Sequence, residues 1–167
     1  MSITLTWGVK QSFRAYVEAA GGEVTLGGGT TRGADGAFVF VTAADSASDT
    51  ISKLGLSSQE HRQHPAVTGE GRFEGEVKFV AHGGMLSVFL ADPRVESTAE
   101  GLVLTVADSP ARDRRIAIVK LDAGAAGRDA DGALTLPAAM TLDGMFLLGD
   151  HYPPGTVVDP VRLSARA

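Results

Sequence analysis

Apolar residues recur along this chain with two different periods. Near the N-terminus they come every four residues: Val9, Phe13 and Val17 form a stripe, with Ser12, Tyr16 and Ala19 on the adjacent face. That spacing predicts an amphipathic helix from about Val9 to Ala20, stopped at Gly21-Gly22. Trp7 stands just ahead of it, placed to pack under its first turn. Elsewhere the period is close to two. Ala37 to Val41 is apolar on both faces and predicts a strand covered on both. From Arg72 to His82, the residues Phe73, Gly75, Val77, Phe79 and Ala81 fall on one face, and Glu74, Glu76, Lys78, Val80 and His82 on the other. Gly83-Gly84 predicts a tight turn, with Met85 to Leu90 as the returning strand. Leu102 to Ala107, Ile116 to Leu121, Ala133 to Leu136 and Val157 to Leu163 predict further strands. Asp108 to Arg115 and Ala123 to Asp131 read as loops, and Ala43 to Glu70 as a long polar stretch with partial mobility. The pattern predicts a mainly β chain: an antiparallel, sandwich-like fold with one substantial N-terminal helix, in a single domain over residues 1–167.

Composition narrows the function classes. The 167 residues suit one domain, and a chain of that size buries roughly 70% of its unfolded surface, enough for a core and a pocket. With 44% hydrophobic and 21% charged residues, a disordered tail is excluded. The 21 glycines and 7 prolines are scattered as punctuation, which favours many short strands over a few long helices. Cysteine is absent, which removes disulfides, thiolate metal sites and cysteine nucleophiles. Fifteen basic against twenty acidic residues give a net charge of -5, the wrong sign for a surface that holds phosphate backbones, so nucleic acid is not an expected partner. No stretch approaches ~18 apolar residues, and neither end reads as a targeting signal or an anchor, so no membrane insertion is expected. Read literally, the chain stays in the cytoplasm; an envelope or extracellular protein already trimmed of its signal would read the same.

Catalytic signatures are mostly missing. There is no GxSxG elbow and no HExxH pair. Gly27-Gly28-Gly29-Thr30-Thr31-Arg32-Gly33 is glycine-rich, but no Lys-Ser/Thr follows to complete a phosphate loop, and a flexible hairpin loop is the expectation. His61 and His64 have metal-ligand spacing but lack an acidic third ligand and run into Pro65, so a solvated loop is expected there. Asp143 and Asp150 resemble a carboxylate pair, but each sits beside glycine in turn-like sequence. Two features stand out: Tyr16 on the helix with Ser12 one turn earlier, and His82 at the glycine corner. From composition alone both are ordinary, a half-buried tyrosine and an edge histidine. Spacing does not show that they meet.

Three blocks, taken together, change that reading. Trp7-Gly8-Val9-Lys10-Gln11-Ser12-Phe13-Arg14-Ala15-Tyr16-Val17 resembles the opening of the HtaA haem-binding domain, a tryptophan followed by "vK-x-S-F-x-x-Y". The stretch from Phe73 to Leu86 resembles its second signature, "F-x-G-x-V-x-F-x-x-H-x-G-x-L", and Asp92-Pro93-Arg94-Val95 continues it. Tyr152 to Val161 resembles the closing "Y-x-x-G-T-x-x-D-P-V". The blocks fall in the family's order and span nearly the whole chain. The resemblance implies a non-enzymatic protein of haem uptake, trafficking or storage. It implies that Tyr16 is the axial ligand to the iron of ferric haem b, that His82 hydrogen-bonds the Tyr16 oxygen, and that Ser12 contacts a haem propionate. Other haem carriers or a haem transporter are the implied partners, and self-association stays open. Family members are typically secreted or tethered to the envelope, and this chain departs from them in showing neither signal nor anchor. Phe13, Phe79, Met85, Phe89, Phe146 and Tyr152 are apolar candidates for a porphyrin slot, though most are expected in the core; Arg14 is expected on a solvated face, with a propionate contact as the alternative. Two other classes remain: a β-sandwich interaction module without haem, and, ranked last, a haem-degrading or peroxidase-like enzyme.

Overall fold

The computed structural model describes residues 2–42, 71–99, 101–150 and 152–166. Its strands all pair antiparallel. Eight of them close into a ring. β1 (Ser2–Trp7) lies between β12 (Val157–Arg166) and β4 (Phe38–Thr42). From β4 the sheet runs through β5 (Gly71–Glu74), β7 (Leu86–Thr98), β8 (Gly101–Ala107), β9 (Arg115–Leu121) and β11 (Leu134–Met140) back to β12. Closure leaves no open edge in the ring, which explains why one sheet suffices where two facing sheets were expected. The sandwich is thus replaced by a single barrel-like sheet. Short strands β3 (Thr31–Arg32) and β10 (Gly127–Arg128) add to β4 and β11. The glycine-rich stretch at 27–33 is therefore no hairpin: it hands the chain from β2 (Glu23–Gly27), paired with β6 (Glu76–Ala81), to β3, paired with β4.

The junction between β5 and β6 creates the wing that matters for function. The single strand expected over Arg72 to His82 keeps its alternation, with Phe73, Val77, Phe79 and Ala81 buried, but it breaks at Gly75 (φ 134°). Opposite the break, the β7 ladder slips between Ala91 and Arg94. Pro93 has no N–H to lend a ladder, and Asp92 adopts φ 49°. Asp92 N–H donates to Gly75 O at 2.8 Å, and Gly75 N–H donates to Asp92 Oδ1 at 3.2 Å. This bulge lets β7 serve two sets of neighbours: β5 and β8 with its second half, β6 with its first. The layer β2-β6-β7 thereby extends beyond the barrel.

The ring's interior is filled by alternate residues of every strand, among them Ile3, Leu5, Phe38, Phe40, Leu104, Ile118, Leu136 and Leu163, all fully buried. Two α-helices are present among the described residues. α1 (Gln11–Ala19) is nine residues long, shorter than the substantial helix expected from Val9 to Ala20. Val9 keeps its place in the apolar stripe but takes φ 64°, outside the helix. Phe13 and Val17 bury the inner face of α1, with the Phe13 ring edge-on to Phe79 at 5.1 Å. The expected stop holds: Gly22 N–H reaches Val17 O and Gly21 N–H reaches Glu18 O, so the last carbonyls are satisfied. α2 (Leu142–Leu147) is a short helix the sequence pattern did not reveal, capped by Thr141 Oγ1, which accepts from Gly144 N–H at 2.9 Å.

Candidate functional site

Ser12 and Tyr16 are four residues apart on α1 and share its exposed face, opposite Phe13 and Val17. Tyr16 is 40% exposed, so its ring lies partly against protein and partly in water. The partner comes from the wing. At the end of β6 the chain turns through His82 (φ 53°), Gly83 (φ 67°) and Gly84 (φ 96°). Histidine tolerates the left-handed region better than bulkier residues, and in this conformation the imidazole leans toward α1. His82 Nε2 lies 2.6 Å from Tyr16 Oη, with ring centroids 5.6 Å apart and planes tilted by 56°. The phenol O–H donates to Nε2 in one imidazole tautomer, and Nε2–H donates to the phenol oxygen in the other. Two residues 66 positions apart in sequence are thus joined at one exposed spot.

Ser12 belongs to a second polar pair on the same helix face. Its Oγ lies 2.9 Å from Tyr152 Oη, and the Tyr152 ring packs edge-on against Phe13 at 6.4 Å. Lys10 Nζ stands 5.6 Å from the Tyr152 ring centre and donates to Val157 O at 3.0 Å. Tyr152, counted from the sequence as an apolar candidate, therefore also contributes its hydroxyl. The geometry sets a cation and two hydroxyls along one end of α1, and the phenol–imidazole pair one turn further on.

The apolar candidates divide sharply. Phe13 and Phe79 are completely buried and belong to the core. Phe89 is half-buried, with the Arg112 guanidinium 5.9 Å from its ring centre. Met85 and Phe146 are exposed at 92% and 61%, and Leu142 and Val157 add to the apolar surface at 53% and 72%. Met85 follows directly on the His82 corner, while Leu142 and Phe146 lie four apart on α2. Arg14 corrects the expectation of a solvated face: it is 8% exposed and bonds Gly8 O and Asp159. The segment with His61 and His64 lies outside the described residues. Asp150 (φ 65°) lies in a turn, as expected, but Asp143 does not: it sits in the first turn of the helix α2. Among the described residues no cluster of three histidine, aspartate or glutamate side chains could hold a metal ion, and no helix is long and apolar enough to cross a membrane.

Comparisons with known proteins follow the same lines. The HtaA family model matches residues 2–164. No curated protein matches the chain. Among solved structures, the N-terminal domain of HtaA from Corynebacterium glutamicum superposes with a TM-score of 0.69 at 20% identity, over 98% of this chain and 95% of that one. The C-terminal domain of the same protein gives 0.65 at 22% identity, over 98% and 94%. The haem-binding protein HtaB from that organism gives 0.60 at 16% identity, over 98% and 93%. At these identities the structures share a fold; the family model, which spans almost the whole sequence, establishes kinship. The chain belongs to the HtaA family.

Proposed function

We propose that this chain is a haem-binding protein of haem uptake, trafficking or storage, and that it holds ferric haem b through the phenolate of Tyr16 with His82 hydrogen-bonded to the ligating oxygen. The observation that carries the reading is the 2.6 Å approach of Tyr16 Oη and His82 Nε2 on an exposed helix face. Kinship with the HtaA family, and likeness to a protein described as haem-binding, support haem as the ligand.

The donor set suits the group. A free phenol has a pKa near ~10 and ligates poorly at neutral pH. His82 Nε2 is placed to take that proton and to return an N–H hydrogen bond to the phenolate, orienting it and tuning its basicity as outer partners of metal ligands do. Tyrosinate is a known axial ligand to haem iron; being anionic and oxygen-based, it favours ferric over ferrous iron. That preference suits a carrier, which must let its cargo go on reduction or transfer, and disfavours the ferrous state that oxygen activation needs. The exposed Met85, Phe146 and Leu142 are the apolar side chains that a porphyrin would cover. Ser12, one helical turn or about 6 Å along the axis from Tyr16, is assigned to a propionate. The donors and receivers implied are other haem carriers or a haem transporter.

Titration of the purified protein with ferric haem tests this reading. The expected complex shows a Soret band and a high-spin charge-transfer band. In Tyr16→Ala, affinity should fall by more than the roughly 100-fold that bounds the effect of outer partners. An unchanged spectrum in that variant would refute the assignment.

A further inference from the structure

A helix as short as α1 does not hold itself in place, since isolated helices below about 12–15 residues are marginal in water. Its N-cap, Lys10, makes no side-chain capping bond, and its first turn has no acidic residue. The missing anchor comes from β12. Asp159 Oδ1 accepts the Gln11 N–H at 3.1 Å, and Oδ2 accepts Arg14 Nη1 at 2.7 Å. The same Arg14 nitrogen donates to Gly8 O at 2.6 Å. The Asp159 main chain completes the frame: its N–H donates to Val9 O at 3.1 Å, and its carbonyl accepts Trp7 Nε1–H at 2.8 Å. One residue thus grips the chain at Trp7, Val9, Gln11 and Arg14, which covers the approach to α1 and its first turn. Its negative charge also sits at the positive end of the helix dipole. The fit is close, because a Cβ on Gly8 would collide with both Arg14 Nη1 and Asp159 Oδ2.

The grip reaches the site through the helix. Gln11 and Tyr16 lie on one nine-residue rod, so any tilt or rotation of the first turn moves Tyr16 Oη against His82, which belongs to the wing. Misplacement by about 1 Å is enough to cost on the order of 100-fold where geometry governs function. We propose that Asp159 is a positioning residue: by clamping the first turn of α1, its carboxylate sets where Tyr16 Oη stands relative to His82 and to the iron it would ligate. The part concerning iron rests on the haem reading; the part concerning His82 does not.

Two variants test it. Asp159→Asn keeps the volume and one acceptor oxygen but removes the charge. Arg14→Met combined with Asp159→Asn leaves no unpaired buried charge and protects the fold. In both, the dissociation constant for ferric haem should rise about tenfold or more, and the charge-transfer band should weaken as part of the haem binds without the phenolate. In the haem-free variants, the His82 imidazole nitrogen resonances should move toward those of an unbonded imidazole. Wild-type affinity, spectrum and His82 resonances in either folded variant overturn the proposal, and should Asp159→Asn fail to fold, the double variant decides. Failure of the wild-type protein to take up haem would sink the haem reading, and the His82 resonances would still decide the role of Asp159.

Discussion

The barrel and the rim that carries Tyr16 and His82 are built on opposite principles. In the ring, eight strands satisfy one another's backbone groups, and apolar side chains fill the interior; Phe38, Phe40 and Leu104 have no exposed surface. At the rim a short helix and a glycine corner meet through single polar contacts, 2.6 Å for Tyr16 with His82 and 2.9 Å for Ser12 with Tyr152. Met85, three residues beyond His82, is 92% exposed. A sheet that closes on itself needs no backbone partners from the rim; α1 adds Phe13 and Val17 to the core on its inner face, and its outer face is left to Ser12 and Tyr16. Damage to the ring is therefore expected to cost stability, and damage to the rim to cost ligand.

The largest effect should come from the core, where the wing strand β6 and α1 pack against the ring. Phe79 contacts both Phe13 and Phe38 edge-on, and Phe79→Ala should destabilise by about 3–5 kcal/mol, read as a lower denaturant midpoint. A loss well under 1 kcal/mol would mean that the wing is not part of the load the core carries. At the rim, His82→Ala should lower haem affinity by roughly 10–100-fold, while leaving unfolding within about 0.5 kcal/mol of wild type, as expected of an exposed side chain. A large stability loss without a change in haem binding would reverse the division drawn here.

The smallest effect belongs to the ring's outer surface. Burial tends to raise the Asp129 pKa, but the Ala133 N–H, Arg162 and the Asp131 N–H outweigh it and hold the carboxyl below its ordinary value. A carboxyl with a lower pKa folded than unfolded stabilises the fold at any pH above the unfolded value. That contribution fades as pH falls through the ordinary carboxylate range toward the lower folded value. Wild type and Asp129→Asn should therefore differ slightly at neutral pH and converge in acid. A gap that widens on acidification would mean the sign is wrong.

Much of the sheet could be read from period-two alternation: β4, β6, β8, β9 and β12 each lie within a residue or a few of where the pattern put them. β1 carried the same signal, since Ile3, Leu5 and Trp7 alternate and are buried, but Trp7 was assigned to the approach to the helix and no strand was expected there. Closure was not legible, because it depends on β7 serving two neighbours across the Asp92-Pro93 bulge, a register that no local pattern states. α2 is only six residues long and gives 3.6-residue periodicity no room to show; Thr141 as its cap was the available clue. In the site, alternation placed His82 outward and helix spacing placed Ser12 beside Tyr16. That Tyr16 meets His82 is a contact across 66 residues, and sequence brought the pair together only through family resemblance. Arg14 looked solvated because its counter-charge, Asp159, lies 145 residues away.

The most direct test of the central claim changes one oxygen atom. Tyr16→Phe keeps the ring and removes the hydroxyl, and resonance Raman spectra of the ferric haem complexes report the iron–phenolate bond itself. The account predicts phenolate-enhanced bands in wild type and their complete loss in Tyr16→Phe, with the fold intact by circular dichroism. Identical Raman bands and affinity in the two proteins would contradict it.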